Sequence, residues 1–85
     1  MALYYFDIRK GTDLMRDDEG SEFASPEAAA QGAARSATEI GISRLAKSVL
    51  SDVVIEVRDG RNQRLCTVTA SMTVDWRAPQ LQPHS

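Results

Sequence analysis

The fold is decided by residues 53–76, which read VVIEVRDGRNQRLCTVTASMTVDW. In the first part of this stretch, β-branched apolar residues recur at every second position, which is the period of a half-buried strand. A turn signal follows at Asp59–Asn62, and residues 64–76 then alternate again with the same period. The stretch therefore predicts a hairpin of two long antiparallel strands, with Val53, Ile55 and Val57 facing inward.

The segment before this hairpin predicts a single helix. Ser25, Pro26 and Glu27 form a helix start, because serine caps free N–H groups, proline fits the first helical position and a carboxylate favours the positive end of the helix dipole. We expect the helix to end near residues 47–49. Small and apolar residues recur along it at helical spacing, at Ala30, Ala33, Ala34, Ala37, Ile40 and Gly41.

A second, shorter hairpin is predicted at the start of the chain. Residues 3–9 alternate and are rich in aromatic and β-branched side chains, so they indicate a strand. A turn at Gly11 leads to a short strand at residues 14–16, and residues 17–20 form a further turn. The whole pattern predicts one α+β domain over residues 1–76. Its order is ββαββ, with a four-stranded sheet and one helix packed on one face.

The tail, residues 77–85, has no apolar pattern and is predicted to be disordered. The expected core residues are the inward-facing positions of the strands and the apolar stripe of the helix. They are Tyr4, Phe6, Ile8, Leu14, Ala33, Ala37, Ile40, Leu45, Ile55, Val57, Val68, Ala70, Met72 and Val74.

The charges are unevenly placed along the 85 residues. Ten Lys and Arg stand against twelve Asp and Glu, a net charge of −2. Within residues 13–27, six acids stand against Arg16 alone, a net −5, so the rest of the chain is mildly basic. This acidic segment is either a solvated turn or one half of a complementary pair in self-association.

The sequence offers no set of groups that predicts catalysis. His84 is the only histidine and lies in the tail, and Cys66 is the only cysteine and lies at a core position of its strand. A single cysteine allows no internal disulfide and no cysteine-based zinc site. The acids around Gly20 fail the calcium-loop frame, since Met15 and Pro26 fall at ligand positions. We therefore expect no enzyme, no cofactor and no metal.

The sheet face away from the helix is the candidate interaction face, with Tyr5, Arg9, Arg58 and Thr69 as its candidate residues. Three interpretations of this face remain open. It is a plain solvated face, a symmetric dimer surface, or a surface on which single-stranded nucleic acid stacks. Acidic side chains on the same face and the negative net charge oppose phosphate binding.

The absence of any apolar run near 18 residues predicts a protein without a membrane span. The first residues also lack the basic and then apolar layout of a signal peptide, so we expect a cytoplasmic location.

Four motifs in order, YYFDIR at 4–9, RDDEGSE at 16–22, PEAAA at 26–30 and IEVRD at 55–59, resemble a family of short bacterial proteins classed as a domain of unknown function. The resemblance covers about residues 3–76 and implies a stand-alone cytosolic bacterial protein, without supplying an activity, ligand or catalytic residue. Members often carry a glycine near the end of the last hairpin turn, where this chain has Asn62 and Gln63, after Gly60. A looser similarity, by analogy of fold alone, is to small antitoxin-like domains in which a helix follows a hairpin.

These observations predict a non-enzymatic small interaction domain that associates through its sheet, with a homo-oligomer or another protein as partner. The alternative is a nucleic-acid-binding or antitoxin-like regulatory protein that uses the exposed sheet face.

Overall fold

The computed structural model describes residues 1–47, 51–73 and 77, and shows one helix packed on one face of an antiparallel sheet. The predicted α+β architecture is confirmed. The elements are β1 (Ala2–Lys10), β2 (Asp13–Met15), β3 (Ser21–Phe23), α1 (Pro26–Ala46), β4 (Val53–Asp59) and β5 (Arg64–Ala70). The strand order is β2-β1-β4-β5, and β3 also pairs with β1. The short strand β3 is an addition to the predicted ββαββ order.

One edge of the sheet is built from two short strands on the same side of β1. Strand β2 pairs with one end of β1 and β3 pairs with the other end, both antiparallel. Between them, the five residues 16–20 stand opposite the three residues 5–7, so the chain bulges away from β1. Gly20, with φ 77°, takes the left-handed backbone conformation that this bulge requires.

The helix begins where the sequence predicts. The Ser25 side chain accepts a hydrogen bond from the Ala28 N–H at 3.1 Å, and Pro26 is the first helical residue. The helix ends at Ala46, and residues 48–50 lie outside the described residues. Its buried positions are spaced by four: Ala29, Ala33, Ala37 and Gly41.

The prediction that Ala34 belongs to the buried stripe of α1 is wrong. Ala34 is exposed, and Ala29 is buried in the stripe instead. The cause is that the buried positions are four residues apart, whereas one helical turn takes about 3.6 residues. Each buried position therefore lies about 40° further around the helix axis than the one before it.

The core draws most of its volume from the sheet. Its buried sheet residues are Tyr4, Val53, Ile55 and Val57, and above them lie the alanines of α1. Partly buried residues pack around this cluster: Phe6, Ile8, Phe23, Ile40, Cys66, Val68 and Ala70. Because alanine has no side chain beyond Cβ, the helix lies close to the sheet.

Three of the predicted core positions are placed differently. Leu14 is 68% exposed, because it pairs with Arg9 and therefore shares the face away from α1. Met72 follows the end of β5 and is half-buried, with the end of its side chain lying against Gly41. Leu45 is half-buried and lies outside the cluster.

Strand β5 ends at Ala70, six residues earlier than the sequence predicts. Residues 71–73 continue the chain outside any strand, and residues 74–76, including the predicted core residue Val74, lie outside the described residues. Of the predicted disordered tail, residues 77–85, only Arg77 belongs to the described residues, and it is exposed.

The second hairpin turn is held by an aspartate and an asparagine. The Asp59 carboxylate accepts hydrogen bonds from the N–H groups of Arg61 and Gln63, both at 2.9 Å. Asn62 has φ 63°, a left-handed conformation that asparagine tolerates better than most residues. The position where the sequence resemblance expects glycine therefore keeps the backbone conformation that glycine would adopt.

Candidate functional site

The four candidate residues all lie on the sheet face away from α1, which we call the outer face. Register places Tyr5 directly beside Arg58 at one end of the strands. At the other end, Arg9 and Thr69 lie on either side of Val54. The structure therefore divides the candidates into two pairs, and the two ends of the outer face differ in their surroundings.

At the end of the outer face where Tyr5 and Arg58 lie, Arg58 forms an ion pair with Asp7. Arg58 binds Asp7 through two parallel hydrogen bonds, Nε to Oδ2 at 2.7 Å and Nη2 to Oδ1 at 3.0 Å. Only 11% of the Arg58 side chain and 13% of the Asp7 side chain is exposed. The Arg58 guanidinium also lies 5.1 Å from the centre of the Tyr5 ring, within cation–π distance. This bidentate geometry fixes both side chains in one arrangement.

The Asp17 carboxylate fills the gap between β2 and β3. Its Oδ2 accepts a hydrogen bond from the Phe6 N–H at 3.0 Å. Phe6 lies between the two stretches of β1 that pair with β2 and β3, so neither of these strands pairs with it. Its Oδ1 accepts from the N–H groups of Glu19 and Gly20, at 3.1 and 3.0 Å. One side chain therefore replaces the missing strand contact and shapes the 16–20 bulge.

The backbone of Asp17 joins this bulge to the ion pair. Its N–H donates to Asp7 Oδ1 at 3.0 Å, and its carbonyl accepts from Arg58 Nη2 at 2.9 Å. Asn62 Oδ1 accepts from Arg58 Nη1 at 3.1 Å and from Arg16 at 3.3 Å. Residues far apart in sequence are thereby tied into one network, which we call the Asp7–Asp17–Arg58 network.

The network shifts the pKa values of its charged groups. Hydrogen bonding from Arg58 holds the pKa of the Asp7 carboxyl below its ordinary value. At Asp17, burial raises the pKa, but the backbone N–H donors together outweigh burial and the pKa is lowered. The hydrogen bond to Asp7 raises the pKa of Arg58 in turn. All three groups are therefore held in their charged forms.

These shifts predict that stability falls on acidification. A carboxyl whose pKa is lower in the folded chain stabilises the fold above its unfolded pKa of about 3.9, and this stabilisation is lost as pH falls through the folded value. We expect the free energy of unfolding, measured in urea, to drop between about pH 4 and pH 2. Asp7→Asn should flatten that drop, whereas Asp13→Asn, at an exposed position, should leave it unchanged. Equal slopes for the two variants would contradict the network.

The two ends of the outer face offer different possibilities to a partner. Arg58 already donates to Asp7, Asp17 and Asn62. Arg9 and Thr69 are exposed. Arg58 and Tyr5 therefore already contact each other and their neighbours within the domain. The candidate residues that are accessible to a partner lie at the opposite end of the outer face.

Between the two ends, Glu56 carries the polar contacts of the outer face. It accepts a hydrogen bond from the Thr67 hydroxyl at 2.7 Å and pairs with Arg64 Nε at 3.4 Å. Asp7 lies directly opposite Glu56 in the neighbouring strand. A row of carboxylates therefore crosses the middle of the outer face.

The two edges of the sheet are unlike each other. The β2–β3 edge is broken into two three-residue strands. The β5 edge is one continuous strand of seven residues, and no strand of the described residues pairs with its far side. Sequence reasoning located β5 but could not identify it as the open edge, because strand order is not encoded in the alternation.

A third surface lies on the helix side of the sheet. The helix packs mainly over β4 and β5. An open groove of about 530 Å³ remains beside β1, with Phe6, Ile8 and Met15 on its floor and residues 16–19 along its rim. Met15 is 53% exposed. The apolar floor of this groove was not predicted, because three residues do not show which face of the sheet Met15 occupies.

Among the described residues, no group of three or more His, Cys, Asp or Glu could hold a metal ion. Within the same ranges, none of the helical segments has both the length and the apolar character needed to cross a membrane.

Comparison with known proteins agrees with the resemblance read from the sequence motifs. The chain matches a family described as a domain of unknown function, DUF6894, over residues 3–71. This range contains nearly all of β1, every other element and the whole Asp7–Asp17–Arg58 network. No curated protein and no solved structure matches the chain. Since the match spans most of its 85 residues, the chain belongs to the DUF6894 family.

Proposed function

We propose that this domain is a small, non-enzymatic interaction module whose partner is a second copy of itself, joined edge to edge along β5. The observation that carries the proposal is the unequal treatment of the two sheet edges. Unpaired strand edges promote association, and folded proteins commonly block them with short strands, bulges or charges. In the part of the chain that the structure describes, one edge is blocked and the other is open.

The β2–β3 edge has each of the features that block pairing. Its strands are three residues long, and residues 16–20 bulge out between them. The Asp17 carboxylate accepts the hydrogen bond from the Phe6 N–H that an incoming strand would otherwise accept. Asp18 and Glu19, which lie in the bulge, are exposed acids. An incoming strand would meet a broken backbone ladder and negative charge, so this edge is a poor partner surface.

The β5 edge has the opposite character. Residues 64–70 contain no proline and no lysine, and their one charged residue, Arg64, lies at the start of the strand. Thr67 and Thr69 are exposed on the outer face and have high β-propensity. Antiparallel pairing of β5 with its symmetry copy would bury the open backbone groups of both chains and produce one continuous sheet.

Face-to-face packing of two outer faces is the competing arrangement for self-association. Asp7 and Glu56 form the middle row of that face. In a symmetric face-to-face dimer, the two-fold axis lies in the plane of contact between the two faces. Whether this axis runs along the strands or across them, it places the Asp7 and Glu56 row of one copy opposite the same row of the other copy. Asp7 is already paired with Arg58, and Glu56 with Arg64, within the same chain, so a facing copy would desolvate these ion pairs without offering them a new charged partner. Edge pairing does not bury them.

Two further observations support the proposed class of function. Among the described residues, the groups with shifted pKa are Asp7, Asp17 and Arg58, and all three are engaged with one another in the network. The same engagement of Arg58 gives less support to the nucleic-acid alternative, since its donors are already used. The proposal includes a bacterial cytoplasmic location, in keeping with a single cysteine and no long apolar run.

The test is a charge placed on the open edge. Thr69→Lys puts a lysine near the end of β5, where a paired copy would lie, and should convert a dimer into a monomer of 9.3 kDa. The measurement is mass by light scattering at high micromolar protein, with circular dichroism confirming that the variant is folded. Thr38→Lys makes the same change at an exposed helical position and should leave the dimer intact.

Three outcomes of that experiment would reject the proposal. A wild-type chain that is monomeric at every concentration would remove self-association altogether. A folded Thr69→Lys variant that remains dimeric would place the interface elsewhere. A salt-sensitive complex with single-stranded RNA or DNA that is lost on Arg9→Ala would favour the nucleic-acid alternative.

A further inference from the structure

The groove beside β1 is apolar at its floor and charged with opposite signs at its two ends. Phe6 and Ile8 belong to β1, and Met15 lies beside Ile8 on the same face because the two residues pair across the strands. At one end of this strip lie the exposed acids Asp18 and Glu19, together with one basic residue, Arg16, whose guanidinium donates a hydrogen bond to Asn62.

The opposite end of the strip is basic. Lys10 projects from the same face of β1 as Ile8, since the two are separated by two positions. Lys10 lines a second depression together with Arg44 and Lys47 near the end of α1. Glu39 also lines that depression, and Asp13 pairs with Lys10 across the strands, so three basic residues stand against two acids at this end. The groove therefore carries a charge gradient along β1.

The part of the sheet that α1 leaves uncovered is wide enough for one further helix. Four strands spaced by about 4.8 Å span about 14 Å between their outer axes, and a helix with its side chains is about 10 Å across. Since α1 lies mainly over β4 and β5, the strip over Ile8 and Met15 has room for one helix alongside α1, while Phe6 at the end of the strip stacks on Phe23 with ring centroids 5.6 Å apart. From Phe6 to Lys10 the strip runs about 13 Å, the length of about nine helical residues.

We infer that this groove binds an amphipathic helix of a partner protein, lying parallel to α1 with its first turn beside Asp18 and Glu19. The apolar stripe of the helix covers Phe6, Ile8 and Met15. Its first turn is basic and its last turn acidic. The partial positive charge at a helix N-terminus and the negative charge at its C-terminus reinforce the same orientation, because they face the acidic and basic ends of the groove respectively.

This inference shares with the proposed function only the idea that the domain binds protein. The groove lies beside β1 and β2, at the opposite side of the sheet from the open edge of β5. Both surfaces can therefore be occupied at once. Thr69→Lys, which tests edge pairing, should leave helix binding unchanged, so the two proposals fail independently.

The test uses two synthetic fourteen-residue peptides of identical composition. Both carry leucines at helical spacing. One has lysines in its first turn and glutamates in its last, and the other has these charges exchanged. Fluorescence anisotropy with the full chain should show the lysine-first peptide binding at least about tenfold more tightly, a difference of about 1.4 kcal/mol.

Two neighbouring residues supply a matched pair of variants for the same titration. Met15→Asp places a charge on the groove floor and should weaken binding by about tenfold or more. Leu14→Asp makes a similar change one residue away, at a side chain that lies on the outer face and is 68% exposed. It should bind the peptide like the wild type.

Reversal of the rim charges tests the orientation. In the double variant Asp18→Lys with Glu19→Lys, the preference between the two peptides should invert or vanish. The inference is overturned if neither peptide binds at millimolar concentration, if the wild type prefers the glutamate-first peptide, or if Met15→Asp and Leu14→Asp bind equally. It is also overturned if Met15→Asp, and not Thr69→Lys, abolishes the dimer, because the occupant would then be a second copy of this chain.

Discussion

Arg58→Met should lower the free energy of unfolding by about 2–4 kcal/mol, a large part of the stability of a domain this size. Methionine keeps much of the aliphatic stem of Arg58 but removes the guanidinium. The Asp7 side chain, of which 13% is exposed, would then lose both hydrogen bonds that its carboxylate accepts from Arg58. The Asp17 carbonyl would lose its donor as well. Breaking a largely buried pair from one side costs more than the pair contributes, because the remaining charge is desolvated.

The control for this variant is Arg9→Met, at an exposed arginine on the same face of the sheet. It should change stability by less than about 0.5 kcal/mol, as surface substitutions usually do. Urea unfolding followed by circular dichroism measures both. If the two arginine variants lose the same stability, the Asp7–Asp17–Arg58 network does not stabilise the fold in the way described.

Ile55→Ala should lower the free energy of unfolding by about 2–5 kcal/mol. Ile55 is fully buried at the centre of the sheet, between Ile8 and Val68 in the neighbouring strands. The buried helix residues above it are alanines, whose short side chains cannot extend into the vacated space. The cavity should therefore persist, which places the cost toward the upper part of the range.

Val54 provides the matched control, since it neighbours Ile55 in β4 and faces the opposite side of the sheet. It is half-buried, and Val54→Ala removes two methyl groups without opening a cavity beneath the helix. We expect a loss of about 1 kcal/mol or less from urea unfolding. A Val54→Ala loss as large as that of Ile55→Ala would mean that the outer face, and not the helix side, holds the core.

The larger elements were predictable because their signals are local. Ser25 and Pro26 fix the start of α1 through contacts within one turn, and the alternation of Val53, Ile55 and Val57 fixes the inward face of β4. Strand β3 was missed, since three residues are too few to show a period of two. Leu14 was misplaced for a related reason: in a three-residue strand, hydrophobicity alone does not show which face a residue occupies.

The candidate site was predicted in composition but not in arrangement. The sequence placed Tyr5 and Arg58 on one face, and both lie there. It did not predict that Asp17 would reach across the edge to Phe6 and hold Arg58 in place, because these contacts join residues 11 and 41 positions apart. With the register of β1 against β4 known, the diagonal placement of Asp7 and Arg58 would have indicated the pair.

The most direct test of edge pairing is amide hydrogen exchange along β5, measured residue by residue by NMR at low and high protein concentration. Among the described residues, no strand pairs with the amides of residues 64–70 that point away from β4. Edge pairing predicts that they gain protection as concentration rises and lose it in Thr69→Lys, while the amides of β2 and β3 do not change. Exchange along β5 that is equally fast at both concentrations, in a sample shown to be dimeric, would contradict the account.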